Sequence, residues 1–516
     1  MPSFYGYIIL RIQAIAFFIL LIIPEEATCQ RGILDSTFTF RAGTVKTFNA
    51  LNIITRQTGY NFTYDSRLID SEKKTELTFF NKQLGAILDS ILRNDSIVYS
   101  VIDKYIIISR EEKQIEKTSS GPPQSTVNII TGVVIDEETS EPLPFATIGL
   151  KNKGKGTVSN FNGEFGLTIS TDYYSDTLSV SYLGYVGREI PVKNAVGNNM
   201  AISMRREFIS IPEIIIRNQI PQDIIIKARR AIPENYGTTP ASMTAFYREG
   251  VLKKTEVQTY SEAVLKIYKS AYSGALLGDQ IKVFRSRKIE NINRSDTLAI
   301  RLKAGLSTCL ELDGARNLFD FISLASIADY TYRMTDIVTY DDEAAYAIEF
   351  QQRESVDLPL FKGTIYINTS DYGILYAEFE INPVLIHKMK DTFITASSRG
   401  FNTWPLSVRY TVSYRKVNER YFLNHVRGDL VFASKQKRKL FSTQFKVFFE
   451  LAVTETSLNN VTRFERDELA PIHSVFSRTI NNYDPLFWGN QDFLRPEDNL
   501  LQSLKNMNVK LQEFSK

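Results

Sequence analysis

Alternating apolar and polar residues dominate the second half of the sequence, and this period constrains the fold more than any other feature. The alternation is clearest in the stretches 362–367, 373–381, 406–414, 421–431 and 441–453. A period of two places successive side chains on opposite faces of a sheet. We therefore predict that residues 207–516 form a large antiparallel β-rich domain with short helices, one of them over residues 222–232.

The chain is too long for a single domain. Its 516 residues predict roughly three or four domains, each with its own core. The 61 Lys and Arg residues nearly balance the 58 Asp and Glu residues, for a formal charge of +3. This composition is that of an ordinary globular protein, so a disordered chain is disfavoured and no nucleic-acid partner is expected.

An apolar stretch near the N-terminus, Ala14 to Ile23, is too short to span a bilayer. Small residues follow it, which predicts a signal peptide over residues 1–29, cleaved between Cys29 and Gln30. An uncleaved anchor is the alternative. We therefore expect the chain to be secreted. Cleavage would leave Cys309 as the one cysteine, so no intramolecular disulfide is expected.

Residues 33–110 are predicted to form a small α+β domain in the order strand, helix, strand, strand, helix, strand, strand. Gly59 is expected to end the first helix as a C-terminal cap, and Asn81 to cap the second. The second helix is marked by an apolar stripe at helical spacing, formed by Leu84, Ile87, Leu88, Ile91 and Leu92.

This region resembles the secretin and TonB short N-terminal (STN) domain. The resemblance lies in FTFRAGTVKTFNALNIITRQTGYNFTYD and in LTFFNKQLGAILDSILRNDSIVYSVIDKYIII. It implies a periplasmic module of β-α-β units at the front of TonB-dependent transporters or secretins, which in some members docks onto an anti-sigma regulator. It implies secretion across the inner membrane, to the periplasm or to an outer-membrane-associated position. It also implies a protein-docking role, and no chemistry.

Residues 111–127 are charged and then rich in Ser, Gly and Pro, which predicts a flexible linker. Over residues 128–206 the period becomes alternating and predicts about seven strands in a β-sandwich. Asn162 and Gly163 are expected to supply the positive φ angles of a tight hairpin turn. The segment GVVIDEETSEPLPFATIGLKNKGKGTVSNFNGEFGLTI resembles the carboxypeptidase regulatory-like domain, which implies a transthyretin-like sandwich and no peptidase activity.

The C-terminal region is similar to a poorly characterised family of Gram-negative, Bacteroidota-type envelope proteins. The similarity lies in AFYRE at 245–249 and YDPLFWGNQDFLRPED at 483–498. The hairpin GTIYINTSDYGILYAEFEI is also similar to strands of lipoprotein-carrier half-barrels, which shelter an acyl chain in an open sheet.

No complete catalytic, cofactor or metal motif is found in the sequence. GLKNKGKG at 149–156 nearly matches a phosphate loop, but Gly156 replaces the required Ser or Thr, so we expect a loop between strands. The three histidines, His387, His425 and His473, lack metal-ligand spacing and are expected to be exposed or hydrogen-bonded. Clustered aromatics near the C-terminus could form a binding platform or pin a segment to the core: Tyr483, Phe487, Trp488 and Phe493.

The resemblances and the lack of a complete catalytic motif predict a non-enzymatic cell-envelope binding or docking protein, similar to the periplasmic N-terminal modules of TonB-dependent outer-membrane transporters. Its expected role is protein–protein interaction in transport or signalling. Its expected partner is an envelope protein, either a regulator or a transporter, and no cofactor is expected. One alternative is a carrier that holds a lipid or another apolar ligand in a concave apolar cavity within residues 240–455. A second is an enzyme acting on glycan or peptide, which would gather carboxylates or a histidine around a concave surface.

Overall fold

The computed structural model describes residues 33–64, 73–92, 97–102, 105–110, 127–197, 199–207, 220–254, 256–274, 278–290, 305–341, 343–389, 401–437, 439–474 and 476. They fall into two compact units, one before residue 121 and one after it. Within the described ranges, no helix combines the length and the apolar character that a membrane crossing requires.

The first unit has the predicted order of strands and helices. Its elements are β1 (Thr37–Lys46), α1 (Thr47–Thr58), β2 (Asn61–Tyr64), β3 (Lys74–Gln83), α2 (Leu84–Leu92), β4 (Ile97–Ile102) and β5 (Tyr105–Arg110). Strands β1 and β3 pair antiparallel. Strand β5 pairs parallel with β2 and antiparallel with β4. The two helices pack into one core together with residues of these strands.

The apolar stripe of α2 is buried as predicted, at Leu84, Ile87, Leu88, Ile91 and Leu92. Gly59 ends α1 with a φ of 75°, and its N–H donates to the carbonyl of Thr55. The prediction that Asn81 caps α2 is wrong. Asn81 lies inside β3 with a φ of 47°, and the strand continues to Gln83 before the helix begins.

The sandwich occupies the start of the second unit and has seven strands in two sheets. Its elements are β6 (Val127–Asp136), β7 (Thr147–Leu150), β8 (Gly156–Val158), β9 (Glu164–Ser170), β10 (Thr177–Ser181), β11 (Arg188–Pro191), α3 (Val192–Ala195) and β12 (Asn199–Met204). One sheet has the order β12-β6-β9 and the other β11-β10-β7-β8. Apolar residues of both sheets form the core between them.

The turn before β9 differs from the prediction in one respect. Gly163 has a positive φ of 74°, but Asn162 does not belong to the described residues with positive φ. The side-chain oxygen of Asn160 accepts hydrogen bonds from the backbone N–H groups of Asn162 and Glu164, at 2.9 Å each. Because Asn160 closes the turn in this way, one left-handed residue is sufficient.

The rest of the second unit is built on a ten-stranded antiparallel sheet. Its strands are β13 (Ala241–Lys253), β14 (Glu256–Lys269), β15 (Gln280–Glu290), β16 (Tyr330–Tyr340), β17 (Glu343–Gln352), β18 (Phe361–Asn368), β19 (Ile374–Ile381), β20 (Phe401–Val417), β21 (Arg420–Gln436) and β22 (Thr443–Ser457). Their order is β15-β14-β13-β22-β21-β20-β19-β18-β17-β16, so the last strand lies beside the first.

Three helices contribute to the core on one face of this sheet: α4 (Pro221–Asn235), α5 (Gly305–Glu311) and α6 (Gly314–Asn317). Helix α4 includes the predicted residues 222–232 and buries Ile224, Ile225, Ala228 and Ile232. Helix α4 contacts β16 and helix α5 contacts β22 on the apolar face, whereas Val158 of the sandwich packs against Phe246, Val264 and Ala452 on the opposite face.

Candidate functional site

Ten residues in direct cross-strand register form a polar row across the whole large sheet. From β15 to β16 the row is Arg287, Glu262, Arg248, Glu450, Arg427, Thr411, Glu378, Thr364, Glu349 and Arg333. The sign of the charge changes at every step of its first five members. We call this set the charge row. It lies on the face opposite the helices, because its members alternate along each strand with residues of the apolar core.

The first half of the charge row is buried. Glu450 accepts from the guanidinium of Arg248 at 2.5 Å, and neither side chain is exposed to solvent. Arg427 Nη1 lies 3.5 Å from Glu450, and Arg287 Nε lies 2.5 Å from the fully buried Glu262. Opposite charges placed directly across strands favour this register over a slip of one residue, which would turn them into the apolar core.

Glu450 contacts three basic side chains in the buried half of the charge row, those of Arg248, His425 and Arg427. Burial alone would raise the pKa of this carboxyl, but Arg248, a hydrogen bond from His425 and the charge of Arg427 hold the pKa well below its usual range. The charged carboxylate can only accept hydrogen bonds, so His425 Nε2, at 2.7 Å from Glu450, is the donor. The prediction that His425 is exposed or hydrogen-bonded is confirmed, because this residue is buried and hydrogen-bonded.

The sandwich covers the middle of the row through Phe145. This ring stacks on His425 with a centroid distance of 5.0 Å, and the guanidinium of Arg427 lies 5.2 Å from its centroid. Phe145 has a φ of 63°, which is costly for a bulky residue and persists only where surrounding contacts hold it. Asn424 adds a hydrogen bond to Thr147 at 3.0 Å.

The loop between β7 and β8 forms a second attachment of the sandwich to the sheet. The carbonyl oxygen of Gly154 accepts from Arg415 Nη2 and from the backbone N–H of Thr456, at 2.8 Å each. A Cβ on Gly154 would lie 1.8 Å from the carbonyl oxygen of Thr456, so this close approach requires glycine. The phosphate-loop-like segment 149–156 is therefore a loop between strands, as expected, and its glycines permit contact with the sheet.

Beyond the sandwich the charge row is open to solvent and forms the floor of a groove. The cavity measures about 790 Å³ and crosses β16 to β20. We call it the charged groove. It is lined by Thr331, Tyr332, Arg333, Glu349, Phe350, Gln351, Lys362, Gly363, Thr364, Glu378, Phe379, Glu380 and Arg409.

Ion pairs in the charged groove are exposed and carry both signs. Glu380 lies 3.2 Å from Lys362 and 3.4 Å from Arg409. Arg333 and Glu349 pair across the strands near the edge of the sheet. Within the described part of the chain, Glu378 forms no ion pair. Loss of water around its carboxyl raises the pKa of Glu378, and the charge of Arg409 opposes that shift.

The carrier alternative predicted a concave apolar cavity, and the described residues do not show one at the expected place. The apolar face is packed: Phe321 stacks on Phe350 with a centroid distance of 3.8 Å, and Phe319 packs edge-on against Phe379 at 4.9 Å. A second cavity, of about 340 Å³, lies where the sandwich meets β20 and also has polar and charged walls, including Lys151, Glu343 and Arg415 among its lining residues.

Several residues predicted to matter lie outside the described part of the chain. They are Cys29 and Gln30 of the predicted cleavage site and the aromatic residues Tyr483, Phe487, Trp488 and Phe493. The histidines at 387 and 425 lie in different surroundings, since His387 contacts the carbonyl of Val384 at an exposed site. In the described residues no group of three or more His, Cys, Asp or Glu side chains could hold a metal ion.

Sequence reasoning missed the charge row. Arg248 lies in the quoted motif AFYRE, yet its partner Glu450 is 202 positions away. The available signal was the recurrence of single charged residues inside otherwise apolar strands, as at Glu262 and Glu450, where the neighbours on both sides predict a buried strand. Such charges are rarely buried unless they are paired.

Comparison with known protein families identifies one part of the chain. Residues 130–216 match the family model of the CarboxypepD_reg-like domain, which confirms the resemblance of the sandwich. None of the curated proteins matches the chain.

Two crystal structures show weak similarity to the chain. A DUF1329 family protein from Desulfovibrio piger ATCC 29098 is 11% identical, with a TM-score of 0.23, over 49% of this chain and 100% of its own. A putative outer membrane lipoprotein-sorting protein domain from Vibrio parahaemolyticus is 12% identical, with a TM-score of 0.20, over 48% of this chain and 96% of its own. TM-scores this low do not establish a shared fold.

Proposed function

We propose that this protein is a non-enzymatic binding protein of the cell envelope whose charged groove docks a segment of a protein partner. The observation that supports the proposal is that the side chains of the charge row change from buried to exposed along the sheet. Its first half is buried and paired within the chain, whereas Glu378, Thr364, Glu349 and Arg333 continue the same row in an open groove. Because the buried members of the row are paired within the chain, the exposed members are the ones that an external partner can bind.

The size and charges of the groove fit an extended polypeptide segment. Four neighbouring strands, from Glu378 to Arg333, span about 14 Å at the usual strand spacing of about 4.8 Å. An extended chain rises about 3.3 Å per residue, so roughly four residues of a partner cover this floor. Exposed ion pairs such as Arg333–Glu349 contribute little to folding and can exchange partners at low cost.

Glu378 determines the charge expected on the partner. Its carboxyl forms no ion pair among the described residues and has a raised pKa. A Lys or Arg side chain of the partner would stabilise its charged form. We propose that the partner segment carries a basic residue opposite Glu378 and an acidic residue toward Arg333.

The envelope location rests on the predicted signal peptide and on the STN-like and regulatory-like modules. In transporters of the resembled families these modules lie on the periplasmic side of the outer membrane. We propose an envelope regulator or a TonB-dependent transporter as the partner, with the sandwich, which contacts the sheet through Phe145 and Gly154, positioning the groove.

The test is site-specific photo-crosslinking in cells. A photoreactive phenylalanine analogue at Thr364, in the groove floor, is expected to form an adduct with one envelope protein. The same analogue at Glu354, exposed in the loop after β17 and outside the groove lining, is the matched control. Glu378→Lys is expected to abolish the Thr364 adduct and Glu354→Lys to preserve it. Equal adducts from both positions, or none from Thr364, would overturn the proposal.

One observation favours the enzymatic alternative as a second candidate. The groove gathers three carboxylates, from Glu349, Glu378 and Glu380, and a raised pKa such as that of Glu378 suits a general acid. Docking is preferred because the other two carboxylates are held in ion pairs. Incubation of the mature protein with glycan and peptide polymers of the envelope discriminates the docking protein from the enzyme. Turnover of a polymer that Glu378→Gln abolishes would show that the groove is catalytic.

A further inference from the structure

One end of the large sheet carries exposed apolar side chains surrounded by lysines. Leu440 and Phe441, between β21 and β22, are each 84% exposed, more than any other large apolar residue in the described part of the chain. Lys435, Lys437 and Lys439 are exposed directly before them. We call the five residues Lys435, Lys437, Lys439, Leu440 and Phe441 the basic tip.

The neighbouring hairpin brings two more lysines to the same end of the sheet. Lys253 is the register partner of Phe445 at the start of β22, and the N–H of Lys254 donates to the carbonyl of Gln444 at 3.4 Å. Lys253, Lys439 and Phe441 line one small depression. The acid of this hairpin, Glu256, is outnumbered by the surrounding bases.

We propose that the basic tip is a membrane-docking site, at which the lysines bind anionic lipid headgroups while Leu440 and Phe441 insert into the bilayer surface. This inference does not depend on the proposed protein partner, because the tip and the charged groove share no residue. Exposed apolar residues bordered by bases are the pattern of interfacial binding, in which each base near an anionic surface strengthens binding about fivefold.

The shape of the tip favours a bilayer over an acidic protein. Leu440 and Phe441 lie at a turn between two strands, and the depression beside Phe441 has a volume of only about 40 Å³, too little to hold a side chain of a folded partner. A highly exposed apolar pair gains contact in a deformable medium such as a bilayer, whereas protein interfaces require complementary shape.

The experiment is cosedimentation of the mature chain, residues 30–516, with vesicles. Binding is expected to vesicles containing about one third phosphatidylglycerol, to weaken in high salt, and to be lost on pure phosphatidylcholine. The joint change Leu440→Ser and Phe441→Ser is expected to weaken binding at least tenfold. Val384→Ser, at an apolar residue that is 76% exposed elsewhere, is the matched control and should have no effect.

A second set of variants tests the contribution of the lysine charges separately from that of Leu440 and Phe441. Neutralising Lys435, Lys437 and Lys439 to Gln is expected to weaken binding by about two orders of magnitude, from about fivefold per base. Neutralising three exposed lysines elsewhere, Lys74, Lys153 and Lys193, should leave most of the binding. Thermal unfolding verifies that each variant is folded. No binding by the unmodified chain, equal binding to neutral vesicles, or equal effects of the tip and control sets would overturn the proposal.

Discussion

The guanidinium of Arg248 lies 2.5 Å from the carboxylate of Glu450, although 202 positions separate the two residues and both are fully buried. This pair joins β13 to β22, the two strands whose pairing connects the first and last parts of the large sheet. Two further basic groups, on His425 and Arg427, approach the same carboxylate, so the charge row is most sensitive to change at Glu450.

Replacing Glu450 with Gln should strongly destabilise the second unit. The change removes the buried carboxylate that pairs with Arg248, and breaking a buried ion pair by removing one partner typically costs about 3–5 kcal/mol. Chemical denaturation measures the free energy of unfolding. Glu349→Gln is the matched control, because it removes one carboxylate of an exposed pair in the same row and should cost about 0–1 kcal/mol. Equal losses from the two variants would contradict the assigned role of Glu450.

The contribution of Glu450 should depend on pH. Its folded-state pKa is held well below the unfolded value of about 4.3, so the unfolded chain takes up this proton first as the pH falls. The resulting stability is present above about pH 4.3 and is lost as the pH falls toward the folded-state pKa. The difference in unfolding free energy between the unmodified protein and Glu450→Gln should therefore narrow below about pH 4.

This difference in unfolding free energy reports on the Glu450 carboxyl and not on the other carboxyls. The pKa values of Asp136, Asp279 and Glu468 are also lowered, but these groups are present in both proteins and cancel in the comparison. Denaturation midpoints between pH 3 and pH 7 provide the measurement. A difference that stays constant over this range would show that the Glu450 carboxyl is not held charged.

Gly154→Ala should loosen the attachment of the sandwich to the sheet. The added methyl group would lie 1.8 Å from the carbonyl oxygen of Thr456, so the loop must move and its hydrogen bonds from Arg415 and Thr456 must lengthen. Overpacking of this kind costs about 1–3 kcal/mol. Gly278→Ala is the control, since nothing lies within 4 Å of its added methyl group. Thermal unfolding and limited proteolysis between sandwich and sheet provide the measurement. Gly154→Ala should unfold at a lower temperature and be cleaved faster than Gly278→Ala.

Cys309 should be unreactive in the folded protein. The residue is fully buried, and burial, together with the charges of Glu249 and Glu450, raises the pKa of its thiol well above its ordinary value. Because the thiolate is the reactive form, a thiol reagent should label a chain of residues 30–516, in which Cys309 is the one cysteine, only after unfolding. A Thr139→Cys variant, with an exposed new thiol, should be labelled at once in the folded state. Rapid labelling of native Cys309 would show that this core opens.

Local sequence patterns predicted individual elements well. The stripe on α2, the cap at Gly59 and the helix around 222–232 were confirmed, because each depends on residues within a few positions of one another. The errors at Asn81 and Asn162 have a different source. Asn81 remains in β3 because that strand pairs with β1 beyond it, and the side chain of Asn160 closes the turn at Asn162.

By itself, the sequence determined the regulatory-like sandwich, the period of the strands and, in the alternating stretches, which side chains share a face of the sheet. These properties follow from alternation, which is local. Only the tertiary structure decided that β13 lies beside β22, that the sandwich covers the middle of the charge row, and that the row from Glu378 to Arg333 lies in an open groove. A period of two specifies which face a residue occupies but carries no information about its cross-strand partner, and the pairing of Arg248 with Glu450 exists only once ten strands are in register.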